Sequence, residues 1–102
     1  MTNRMLIVGR GALAQAIVPR LQAAGFEAVR LLQVSSEDSP LDVQTLHDVA
    51  AVLLVADDDA HNVDIALQAR RLCPGLPMVV RVFDSALAGY LAETLPGVEV
   101  LS

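Results

Sequence analysis

Backbone that can come close to a phosphate is the clearest chemical signal in this chain. Gly9-Arg10-Gly11-Ala12-Leu13-Ala14 has the spacing G-x-G-x-x-A. In such a turn the first glycine permits the tight bend and the second leaves room for a pyrophosphate. A small third residue, here Ala14, lets the following helix pack on its strand. A helix starting at this point aims unpaired N–H groups and the positive end of its dipole at the phosphates. Arg10, inside the turn, is placed to add a charge. The second candidate is the acidic run Asp57-Asp58-Asp59. Consecutive carboxylates cannot all face one ion, and no clustered Asp, Glu or His completes an oxygen cage, so no metal is expected. One reading is a capped helix start and a solvated turn. In the other, Asp57 reaches a ribose or adenine group from the end of a strand. Arg81 lies in an otherwise apolar run, so it must leave through the end of the sheet or find an anion, with Asp57 and Asp84 as candidates.

The remaining reactive residue types are read as structural. His61 falls in the first turn of a helix, with His47 too far away in sequence for ligand spacing, and is expected at the surface. Cys73 lies at a helix end among apolar residues and is expected to be a half-buried filler. Tyr90 is expected to pack. No Ser-His-Asp or Cys-His arrangement is present, so no catalytic constellation is assigned and the chain is read as non-enzymatic.

The elements that must hold these residues follow from hydrophobic periodicity. Met5-Leu6-Ile7-Val8 reads as a buried parallel strand running into the glycines. Leu13, Ile17 and Leu21 then recur at helical spacing from about Gly11 to Ala24, with Pro19 expected to kink or break the helix. A second strand covers Ala28 to about Val34. Ser35 to Pro40 is a polar loop, and Leu41, Val43 and Leu46 fit one helical turn. Val49 to Ala56 is a continuous apolar run and is expected to be central. A helix follows through Val63, Ala66, Leu67, Ala69 and Leu72, with Arg70 and Arg71 in its last turn, stopped by Pro74-Gly75. Met78 to Phe83 is the next strand. Asp84 or Ser85 caps a last helix with Leu87, Leu91 and Leu95 on one face, and Val98 to Leu101 is a short final strand.

This alternation specifies a parallel sheet with right-handed crossovers. Ser35 to Asp48 is too short to carry a full crossover unit that adds another strand. The expected fold is therefore α/β: a shortened, Rossmann-like, doubly wound parallel sheet of about five strands. Their order is 2-1-3-4-5, with one usual outer strand missing. The ligand crevice of that order lies between the first and third strands. It is flanked by the Gly9–Gly11 turn and by Ala56, Asp57 and Asp58. The acid that would hold a ribose is missing: Leu31, Leu32 and Gln33 occupy its place. Gln33 is read as a solvated strand end or an amide donor to ribose, and Ser35 and Ser36 as weak candidates for a 2′-phosphate.

Composition sets outer bounds. The 102 residues make one domain, 1–102, with a hydrophobic fraction of 54% and only 3% aromatics, so the core must be aliphatic. A net charge of −5 argues against nucleic acid as a partner. All seven basic residues are arginine, which excludes lysine-based Schiff-base chemistry and a P-loop. A single cysteine fits a reducing compartment, and no run is long enough to span a bilayer, so a cytoplasmic location without direct membrane insertion is expected. The aliphatic surplus and the second strand, left at a sheet edge, point to a homodimer or higher oligomer.

Leu53 to Asn62, Ile65 to Leu72 and Pro77 to Asp84 resemble the N-terminal RCK domain, the regulator of potassium conductance also called TrkA-N. The likeness covers nearly the whole chain and is strongest from Ala51 to Leu95. It implies a nucleotide-sensing regulatory domain serving a membrane potassium channel or transporter subunit. Such a domain binds NAD(H), ATP or ADP and acts through dimers and rings. By that likeness Gly9, Gly11 and Ala14 match the phosphate turn, and Asp57 to Asn62 face the adenosine half. It also implies a position at the inner face of the membrane, through a partner or the rest of a longer polypeptide. The chain departs from the family at Leu32, where an acid is usual, at Ala12, where a basic residue is usual, and over Ser35 to Asp48, where a further helix and strand are usual. The alternative reading is a degenerate Rossmann module that binds no nucleotide and serves as a dimerisation or assembly domain.

Overall fold

The computed structural model describes residues 3–31, 46–95 and 97–101. Within them the chain runs β1 (Arg4–Val8), α1 (Ala12–Ala23), β2 (Glu27–Leu31), β3 (Ala51–Leu54), α2 (Asp59–Leu72), β4 (Met78–Arg81), α3 (Ser85–Thr94) and β5 (Val98–Leu101). The strands form one parallel sheet in the order β2-β1-β3-β4-β5. This is the α/β, shortened Rossmann-like arrangement that the strand spacing implies. β3, the longest apolar run, is its middle strand. The chain moves outward from β1 to β2 in one direction and from β3 through β4 to β5 in the other, so right-handed crossovers put their helices on opposite faces.

Side-chain alternation divides the core accordingly. Ile7 and Val55 meet Ala14 on one face, where Leu13, Ile17, Val18 and Leu21 of α1 close over them. Leu6, Val8, Val52, Leu54 and Val80 point to the other face. They pack there against Ile65, Ala66 and Ala69 of α2 and Leu91 of α3. Leu6, Ile7 and Val8 are buried on both faces of β1, and β3 is fully buried on one face and partly on the other, which is why these strands read as unbroken apolar runs rather than alternating ones.

Local departures from the sequence reading have local causes. β3 and β4 are shorter than their apolar runs. Val55 still donates its N–H to the Val8 carbonyl at 3.0 Å, after which the chain turns toward α2. Pro19 does not break α1, which continues to Ala23. Pro19 and Gln15, whose carbonyl loses its partner, both lie on the solvent side, where water can satisfy that carbonyl. Tyr90 does not pack inside but is 56% exposed on α3. Cys73 is half-buried against the α2–α3 side of the core, as a filler. The expected last residues of the second strand, the polar loop, and the turn through Leu41 and Val43, together with Gln33, Ser35 and Ser36, lie outside the described residues.

Candidate functional site

The β1–α1 and β3–α2 turns emerge side by side at the C-terminal ends of neighbouring strands, where the strand order reverses. Gly9 is held at φ +153°, and a β-carbon there would stand 3.0 Å from the backbone of Val55 and Ala56. The first glycine therefore serves backbone conformation and the close approach of the two turns. Gly11 differs, having φ −73° as the N-cap of α1, a conformation open to any residue. A β-carbon on Gly11 would lie 2.7 Å from an Asp57 carboxylate oxygen. The space over the second glycine, which the motif keeps open for a pyrophosphate, faces a carboxylate of the chain itself. Ala14 is fully buried against Ile7 and Val55, so the third position does its packing work. Arg10 and Ala12 are exposed beside this space, and Ala56 is half-buried behind it.

The three aspartates divide their work. Asp58 caps α2, accepting from the N–H groups of Ala60 at 2.9 Å and His61 at 3.3 Å. Asp59 reaches across to the β4–α3 turn and accepts from the N–H groups of Phe83 and Asp84, each at 2.9 Å. Asp57 accepts from Nη1 of Arg81 at 3.4 Å, the first of the two pairings expected for that arginine. The Arg81 guanidinium also lies over the ring of Phe83, 4.3 Å from its centroid. Asp84 is instead the N-cap of α3, accepting from the Leu87 N–H. The expected helix capping is thus present at Asp58, while Asp57 is the aspartate left facing the crevice.

Two further residues build the site: Arg30, which motif reading overlooks, and Asn62, which enters the sequence reading only as the end of the Asp57–Asn62 segment. Arg30, in β2, donates from Nε to the Gly9 carbonyl at 3.3 Å and from Nη2 to the Arg10 carbonyl at 3.2 Å. It braces the glycine turn and brings a cation to its flank. The signal was an arginine inside an apolar strand, the same that singled out Arg81. Asn62 is fully buried. Its amide accepts from the Ala56 N–H at 3.1 Å and donates to the carbonyls of Ala56 and Arg81, both at 2.9 Å. It thereby ties the ends of β3 and β4 together and fixes where Asp57 and Arg81 emerge. Its signal was one amide on the apolar stripe of α2, three, four and seven residues before Ile65, Ala66 and Ala69.

The two turns thus bring together glycine backbone and the N-terminus of α1, the Arg30 guanidinium on the Gly9 and Arg10 carbonyls, and the Asp57–Arg81 pair. Such an arrangement binds anions through N–H groups and fixed charge. A separate surface hollow of about 430 Å³, lined by Asp64, Leu67, Arg70, Arg71 and Leu95, lies toward the other end of α2. No described helix is long and apolar enough to cross a membrane. No protein-family model and no curated protein matches the chain.

Proposed function

We propose that this domain is a non-enzymatic regulatory module that takes an adenine nucleotide, NAD(H), ATP or ADP, at its glycine turn. The observation that carries this reading is the uncapped start of α1 at the point where the strand order reverses. α2 and α3 begin on Asp58 and Asp84, whose carboxylates accept from their own first-turn N–H groups. α1 begins on Gly11, with no side-chain cap and no acid in its first turn. In an open parallel sheet this is the position from which phosphates are bound. The resemblance to RCK domains extends the proposal to the partner: a homo-oligomer that passes nucleotide binding to a membrane potassium channel or transporter subunit.

Affinity should be modest. A missing ribose acid removes a charge-assisted hydrogen-bond pair worth about 1.5–3 kcal/mol, which puts dissociation constants on the order of micromolar to millimolar. Calorimetric titration with NADH, ATP, ADP and AMP tests this. Heat from at least one of them supports the reading, and no heat at millimolar ligand overturns it. The second reading, an assembly module without nucleotide, is favoured by one observation, the Asp57 carboxylate over Gly11. It would be supported by that silence together with self-association in sedimentation at tens of micromolar protein.

A further inference from the structure

The Asp57 carboxylate stands where the proposed site would hold its ligand's diphosphate, and we infer that it acts there as a competing anion that sets how much negative charge the site accepts. The inference rests on the nucleotide reading above. Its geometry is direct. The nearer carboxylate oxygen is 2.7 Å from where a β-carbon of Gly11 would be, on the side the glycine leaves open. The side chain is 71% exposed, so it can swing away without disturbing the core. It is not needed for capping, because Asp58 fills that role for α2.

Its partner completes the device. Arg81 is tethered by the Phe83 ring and is itself only 24% exposed, so the cation stays in place when the carboxylate leaves. A phosphate entering over Gly11 exchanges one anion for another: it takes the N–H groups of α1 and the Arg81 guanidinium, and Asp57 turns to water. Even turned outward, Asp57 remains a like charge a few ångströms from the bound phosphates, and that repulsion grows with each phosphate. Asp57 is thus a specificity residue that penalises AMP least and ATP most. If Asp57 instead served as a hydrogen-bond acceptor for ribose or base, its removal would weaken all three ligands alike.

The test is titration of AMP, ADP and ATP, without added divalent cation, into the wild-type chain, Asp57→Asn and Arg81→Gln, with thermal unfolding to confirm that each variant is folded. Asp57→Asn should tighten ADP by about tenfold, AMP by less and ATP by more, with the gain shrinking as salt is added. Arg81→Gln should weaken all three. Equal tightening of all three ligands, or weaker binding in Asp57→Asn, overturns the assignment. If the wild type binds ADP and Asp57→Asn binds it no tighter, the competing-anion role fails while the nucleotide reading stands. If neither protein binds any of the three at millimolar ligand, both fail.

Discussion

At the β3–α2 turn three aspartates are each committed to a partner within the chain: a cation, a helix start and a neighbouring turn. The β1–α1 turn beside it is built from backbone, braced by Arg30 through the Gly9 and Arg10 carbonyls, and its helix begins without a side-chain cap. One turn is held by its own side chains, and the other leaves helix N–H groups for something else to occupy. Self-sufficient polar networks fix geometry, whereas open helix starts bind anions. Among the described residues, the carboxylate of Asp57 is the acidic group that reaches from the β3–α2 turn toward the β1–α1 turn.

Substitutions separate the two regions. Asn62→Leu should have the largest effect, because it keeps the volume but strips three hydrogen bonds from the Ala56 and Arg81 backbone. A loss of about 3 kcal/mol or more in urea unfolding is expected. Gly9→Ala should follow at about 2–3 kcal/mol, since it adds a β-carbon at positive φ against the Val55 and Ala56 backbone. Asp58→Ala should cost about 1 kcal/mol through the lost α2 cap. Gly11→Ala should cost less than about 1 kcal/mol, because its φ is ordinary and its new β-carbon need only displace the exposed Asp57 side chain. A Gly11→Ala loss as large as that of Gly9→Ala would show that both glycines serve the fold alone.

The fold was legible in the sequence where it depends on local pattern and length. The short span from Ser35 to Asp48 implied the order 2-1-3-4-5, the acids before α2 implied a cap, and an arginine in an apolar strand implied a counter-ion such as Asp57. What was not legible depends on which turns become neighbours in space. Nothing local shows that Asp59 reaches the β4–α3 turn, that Asn62 bridges two strand ends, or that Arg30 donates to the carbonyls of the glycine turn. The spacing G-x-G-x-x-A also reads the same whether the room over Gly11 receives a phosphate or faces Asp57, because in both cases it specifies only the absence of a β-carbon. The structure distinguishes the two glycines: Gly9 serves the close approach of the Val55–Ala56 backbone, and the room over Gly11 faces the exposed Asp57 carboxylate.

Backbone amide NMR is well suited to a chain of 10.8 kDa and reports on the glycine turn itself. Titration with ADP should shift the amides from Arg10 to Ala14 and that of Asp57 most strongly, with the effect lost in Gly11→Val while the rest of the spectrum keeps its dispersion. No shifts at millimolar ADP, shifts centred on the α2 hollow around Leu67 and Arg71, or shifts that survive Gly11→Val unchanged would contradict a nucleotide site at the glycine turn.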